Sequence, residues 1–199
     1  YAMADSPMGP FTFTGIIMDE SPSGCWTNHH SITEYNGQWY LFYHHNDYSP
    51  NFDKNRSARI DSLFFNTDGT IKKVKPTLRG VGITDARSKI QIDRYSTISP
   101  YGVTIDYLEP SNTFEGWQTL FNRAGTWVTY NKVDFGTTPV KRLKARVRSE
   151  KGGAITLRTP GEKGMTIAEL PIKPTGKWTE ISTNVSNAPT SMQDLIITQ

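Results

Sequence analysis

Cysteine is nearly missing from this sequence: Cys25 is the single one in 199 residues. That rules out an internal disulfide, and it leaves the compartment open, because a secreted protein need not carry one. Long apolar runs are absent too, with nothing near the roughly 18 residues of a membrane span. The opening YAMADSPMGPF has neither an initiator Met nor the basic and apolar regions of a signal peptide, and it reads as the middle of something longer. No sign of charge dominates, since 22 Lys and Arg stand against 19 Asp and Glu. The densest basic run, VKRLKARVRSEK (Val140 to Lys151), alternates with apolar residues. Such a run reads as the wet face of a strand and makes a weak case for nucleic acid. Helical periodicity is missing as well, the one candidate near Thr84 to Lys89 being too short to matter.

What is present favours β structure. The 16 Gly and 12 Pro supply many turns, and 36% hydrophobic residues, with 12% aromatic, can fill packed cores. In SITEYNGQWYLFYHH two alternating runs flank Asn36-Gly37, the best short-range hairpin signal, because both residues accept the positive φ of a type I′ turn. Ser31 to Tyr35 and Gln38 to His44 are therefore expected as paired strands. A loop rich in Asn, Asp and Pro follows (Asn46 to Asn55), then SARIDSLFFNTDGTIKKV, a second hairpin turning at Asp68-Gly69. Four short antiparallel strands within about 65 residues match one propeller blade or half a sandwich. KPTLRGVG (Lys75 to Gly82) is short, basic and broken by Pro and Gly, so the domain boundary is expected near it. Beyond it KIQIDRYSTI, GTWVTYNKVDFG, KRLKARVRS, GAITLRT, TIAELPI, WTEISTNV and DLIIT recur at the spacing of a β-sandwich.

All four histidines fall in two adjacent pairs, His29-His30 and His44-His45. Neighbours on a strand point to opposite faces, so each pair offers at most one imidazole to a common point, and the short spacings of zinc motifs are absent. On the residues alone they are hydrogen-bonded histidines at strand ends.

Three motifs in order, YAMADSPMGPFTFTGIIM, NHHSITEYNGQWYLFYHH and NRSARIDSLFFNTDGTIKKV, resemble the end of the catalytic domain of glycoside hydrolase family 43, a group of β-xylosidases, α-L-arabinofuranosidases and arabinanases built on a five-bladed propeller. The resemblance implies that residues 1–77 are the C-terminal part of such a domain, its last blade. It implies that His29 reaches the central channel and helps hold a calcium ion or water, with the other three histidines structural. It also implies that Arg56 sits near the sugar subsite, where a planar guanidinium forks onto hydroxyls. The alternative for Arg56 is a surface strand residue.

The segments KIQIDRYSTIS, GTWVTYNKVDFG, GGAITLRT, TGKWTEIST and DLIIT look like a family 6 carbohydrate-binding module, a jelly-roll β-sandwich. That resemblance implies a linker at 78–85 and a module at 86–199 whose last strand is missing. Family members grip sugar between two aromatic rings, and the matching positions are Trp178 and, as the nearest match to the other, Phe121. Flat rings suit the apolar faces of pyranoses. Core packing is the alternative for Trp178, and Trp127 inside its strand is better read as core. Gln91 and Asp93 fall where the module has acidic residues that bind structural calcium, and Gln in place of a carboxylate weakens that site.

Most glycosidases need two carboxyl groups. Family 43 enzymes invert configuration with an Asp base and a Glu acid, and neither has a matching position here. Asp5, Asp19, Glu20, Glu34 and Asp61 fit neither role, and Asp61 reads as a structural hydrogen-bonding residue. The resemblance thus implies an inactive fragment of a secreted or periplasmic, monomeric glycosidase. The parent would hydrolyse xylosidic or arabinofuranosidic bonds of plant hemicellulose and would bind xylan, arabinoxylan or arabinan, with no nucleic-acid or membrane partner. The alternative is a carbohydrate-binding protein with no chemistry.

Overall fold

The computed structural model describes residues 1–20, 28–46, 56–161 and 163–199. Cys25 and most of the Asn46 to Asn55 loop lie outside the described residues. The chain divides into two compact units, Tyr1–Val81 and Gly82–Gln199.

In the first unit β1 (Ala2–Met3) pairs with β2 (Thr12–Phe13), and β3 (Ser31–Tyr35), β4 (Gln38–His45) and β5 (Ser57–Leu63) form an antiparallel sheet in that order. Asn36 and Gly37 make the β3–β4 turn with φ of 50° and 76°, the left-handed values that a two-residue hairpin of this type needs. Register sets Leu41 opposite Asp61 and Tyr43 opposite Arg59, all on the inner face. Leu41, Tyr43, Leu63 and Val74 form the core, with Ile17, Met18, Ile32 and Ile71 packed against it. Each such side chain taken fully out of water contributes roughly 1.5–3 kcal/mol.

The fourth antiparallel strand expected of this unit is reduced to bridges. After the Asp68-Gly69 turn, Ile71 meets Phe65, and Val74 pairs in parallel with Met18. The N-terminal segment captures this backbone: the Val74 N–H donates to the Ile17 carbonyl (2.7 Å) and the Ile71 N–H to the Tyr1 hydroxyl (2.9 Å). Within the stretch read as a linker, Arg59 Nη1 donates to the Leu78 carbonyl (2.9 Å), while Thr84 and Asp85 already form a strand of the second unit.

That second unit is a β-sandwich. Its main sheet runs β13 (Thr166–Ile172), β12 (Gly153–Arg158), β15 (Met192–Thr198), β10 (Trp127–Asp134), β6 (Thr84–Asp85), with β7 (Thr97–Ile98) also on β10. Two ribbons complete it, β8 (Val103–Tyr107) with β9 (Trp117–Phe121), and β11 (Arg142–Val147) with β14 (Thr179–Asn184). The Thr84 to Lys89 candidate helix instead opens with the short parallel strand β6 and runs on into a turn, and a single 3-10 turn at Thr113–Glu115 is the one helical element among the described residues. KIQIDRYSTI yields strand at Thr97 and Ile98 alone, because residues before it turn: the Arg94 N–H donates to the Gln91 carbonyl (3.0 Å). Along β10 the buried positions switch from Val128 and Tyr130 to Val133, which changes parity. A bulge resolves this, with Lys132 at φ 55° and its N–H held by Asp194 Oδ1 at 2.9 Å. Leu157, Ile167, Leu170 and Leu195 on β12, β13 and β15 are buried as well.

Candidate functional site

The histidines of the first unit divide by burial. His29 and His30 are exposed, while His44 and His45 at the end of β4 are buried. The His29 N–H donates to His44 Nε2 (3.1 Å), and the two rings meet edge to face at 5.7 Å. With Nε2 accepting, a neutral His44 carries its proton on Nδ1, a buried atom without a hydrogen-bond partner among the described residues. Burial, then the positive charges of Arg56, His29 and His45, hold the His44 imidazole below its ordinary value near 6.5. Arg56 is itself exposed directly before β5 and lies close enough for its charge to act on His44.

Asp61 has the structural role its sequence context suggested. Its carboxylate accepts from the Tyr43 hydroxyl (2.5 Å), the Thr77 N–H (3.1 Å) and the Thr77 hydroxyl (2.6 Å), and Thr77 Oγ1 in turn accepts from the Gly80 N–H (3.0 Å). Burial first, then the bond and charge of Asp61, push the Tyr43 hydroxyl well above the usual phenol range. A carboxylate so engaged is not available for acid or base work.

In the second unit Phe121 ends β9 opposite Val103 and is half-buried. Opposed residues share a face, and Val103 is buried, so Phe121 leans on the same side of the hairpin as the core. The hairpin is pinned at this end by Gly102, whose carbonyl accepts the Asn122 N–H (2.7 Å) at φ 79°. A Cβ there would meet Thr126 Cγ2 at 2.8 Å and Arg123 Cβ at 2.9 Å. The other end carries a stacked pair absent from the sequence reading, Tyr107 on Trp117, with centroids 4.3 Å apart and planes at 24°.

Trp178 is half-buried and directly precedes β14. Arg146 on β11 places its guanidinium carbon 5.6 Å from the centre of the indole ring. The alternation of bases with apolar residues in RLKARV was the available signal for this contact, since Arg142, Lys144 and Arg146 all face outward and exposed.

For calcium, Asp93 offers a buried carboxylate with Arg94 Nε at 3.5 Å, and Gln91 is exposed with its backbone carbonyl already accepting from Arg94. A calcium ion takes about six to eight oxygens. Among the described residues no group of three or more His, Cys, Asp or Glu side chains gathers at this turn, at His29 or elsewhere.

A β-sandwich with half-exposed aromatic rings on its strand ends has the build of a sugar-binding module. Residues 98–198 match the family model for carbohydrate binding module (family 6), and the chain belongs to that family. Across both units it is similar to the arabinoxylan arabinofuranohydrolase of Paenibacillus polymyxa, 29% identical with 94% of this chain and 32% of that protein covered. Its first part is similar to a beta-xylosidase of Xylanibacter ruminicola, 47% identical over 77 residues, which cover 38% of this chain and 23% of the relative. The crystal structure of a glycoside hydrolase family 43 arabinoxylan arabinofuranohydrolase from Bacillus subtilis, in complex with cellotetraose, matches all of this chain and 43% of that one at a TM-score of 0.62 and 26% identity. The chain therefore spans well under half the length of the curated relatives it matches. An all-β chain pairing a family 43-like segment with a family 6 module is what these likenesses support, as the motifs implied.

Proposed function

We propose that this chain anchors a glycoside hydrolase of the family 43 type to hemicellulose, with the second unit binding xylan, arabinoxylan or arabinan and the longer protein hydrolysing xylosidic or arabinofuranosidic bonds with inversion. One observation carries the reading for this chain itself: Trp178 presents a half-exposed indole at the edge of a sandwich whose residues 98–198 match a carbohydrate-binding family. Phe121 is the proposed second ring. The first unit is the proposed last propeller blade, with Arg56 beside the sugar subsite and His29 near the channel.

The 199 residues bind without cutting. Asp61 is committed to Tyr43 and Thr77, Asp19 pairs with Lys73 (2.5 Å), and Asp5, Glu20 and Glu34 are exposed on the surface, which supports that reading for the first unit. Calcium is proposed as a structural ion at the Gln91–Asp93 turn, with Asp93 as its charged ligand; loss of a calcium-dependent rise in melting temperature in Asp93→Asn would support it, and no calcium response at all would sink it. Polymeric hemicellulose lies outside cells, so we place the protein there, as a monomer, secreted or periplasmic.

The test is a titration with xylo- and arabino-oligosaccharides followed by Trp fluorescence. Saturable binding, weakened at least about tenfold (~1.4 kcal/mol) in Trp178→Ala, is expected. A folded protein that ignores every sugar would refute the reading. Incubation of the same chain with arabinoxylan is expected to release no sugar.

A further inference from the structure

The outer face of the β11–β14 ribbon is unusual in charge. Register pairs Arg142 with Asn184, Lys144 with Ser182 and Arg146 with Glu180, and these six residues all point outward. The carboxylate opposite Arg146 has turned away from it, because Glu180 Oε1 pairs with Lys144 Nζ at 3.0 Å. Arg148, the next outward residue, pairs with Glu150 at 3.2 Å. Among the described residues neither Arg142 nor Arg146 makes an ion pair, and Arg146 instead lies over Trp178. Trp178 falls on the same side as Glu180 by strand parity, so the indole and the guanidinium belong to one exposed surface.

An indole face suits the apolar side of a sugar ring, while a guanidinium presents a planar fork that fits a carboxylate through two parallel hydrogen bonds. With the guanidinium lying over the indole, the part of the ring left exposed meets the apolar side of a sugar, and the fork beyond it meets a carboxylate on that sugar. Together they select a ring that carries its own carboxylate. We propose that Trp178 and Arg146, with Arg142 farther along the same strand, form a subsite for a uronic-acid residue on the polysaccharide. The inference rests on the sugar-binding reading above and adds the charge class of the ligand. A polynucleotide would satisfy the cations but has no use for the neutral, half-exposed indole at the ribbon's start except as a base platform. It would also need phosphate contacts in number, whereas two of the four cations on this face are already paired.

Isothermal titration of the full 199-residue chain discriminates these cases. Three probes of equal length are compared: a neutral xylo-oligosaccharide, the same chain bearing one glucuronic acid, and that acid reduced to the neutral alcohol. The acidic probe is expected to bind about fivefold tighter than its reduced form, the upper range for an exposed ion pair, with the preference shrinking at high salt. Arg146→Gln should abolish that preference, so that within the variant the acidic and reduced probes bind equally, whatever the change in affinity for the neutral probe. Arg142→Gln should reduce it in part. Equal affinity for the acidic and reduced probes, or a preference untouched by Arg146→Gln, overturns the proposal while neutral binding still upholds the sugar-binding reading. Failure of all three probes overturns both. Tighter binding of a single-stranded oligonucleotide than of the acidic sugar, with a steep salt slope, would assign the face to nucleic acid instead.

Discussion

Among the described residues of the first unit the buried apolar side chains are Leu41, Tyr43, Leu63 and Val74, while Phe11, Phe13, Phe42, Phe64 and Phe65 stand exposed. In the second, Val128, Tyr130, Val133, Phe135, Leu157, Ile167, Leu170 and Leu195 are buried, and the large exposed apolar residues thin to Ile83, Tyr101, Phe114, Met165 and Met192. The sandwich closes a core with its own strands. The three-stranded sheet of the first unit covers one face and leaves aromatic surface of the kind that other blades cover in a propeller. A unit with this few described buried apolar side chains should unfold before the sandwich.

Calorimetry of the whole chain tests this most directly. Two transitions are expected, the lower belonging to the first unit. Leu41→Ala should lower only the first, and Leu170→Ala only the second, each by about 2–5 kcal/mol for a buried leucine cut to alanine. A single transition moved by both substitutions would break the comparison.

A smaller effect separates polar from apolar support inside the first unit. Asp61→Ala strands the Tyr43 hydroxyl and the Thr77 N–H, and leaving such groups without an acceptor costs about 1–3 kcal/mol. It should also bring the Tyr43 hydroxyl down toward the phenol range without reaching it, since burial is the larger cause of its shift and remains. Ultraviolet titration of tyrosinate reads this. Sugar binding by the second unit is expected to be unchanged, and a loss there would mean that the two units do not act separately.

Legibility in the sequence followed how local each feature was. The β3–β4 hairpin was readable because Asn36-Gly37 fixes both turn and register within a few residues, and β10 to β15 were readable from their regular spacing. The β8–β9 hairpin was missed because its strands are joined by the irregular stretch Leu108–Gly116, with an exposed Phe114 and no two-residue turn signal. The fourth strand of the first unit failed for the opposite reason: its pattern was adequate, but Val74 is captured by Ile17, far away in sequence. Trp178 could be singled out by resemblance, whereas its contact with Arg146 depends on the pairing of β11 with β14, strands more than thirty residues apart. Pairing at that separation leaves no signature in either segment alone.

The smallest predicted effect concerns His44, and it sharpens the contrast because the second unit contains no histidine. The folded protein holds this imidazole neutral below its ordinary value near 6.5, through burial and the neighbouring charges of Arg56, His29 and His45. Below that pH the unfolded chain takes up a proton that the folded chain refuses, so the stability of the first unit falls as pH drops from about 6.5, and the loss levels off under the folded value. Carboxylates enter only below about pH 5, which leaves a window where histidine dominates. Over that window the lower calorimetric transition should slope downward with acid while the upper one stays flat. His44→Gln, which keeps an acceptor for the His29 N–H but cannot titrate, should flatten the lower transition as well. If the slope survives in the variant, the proton is taken up elsewhere, and the buried end of β4 is not the acid-sensitive point of the unit.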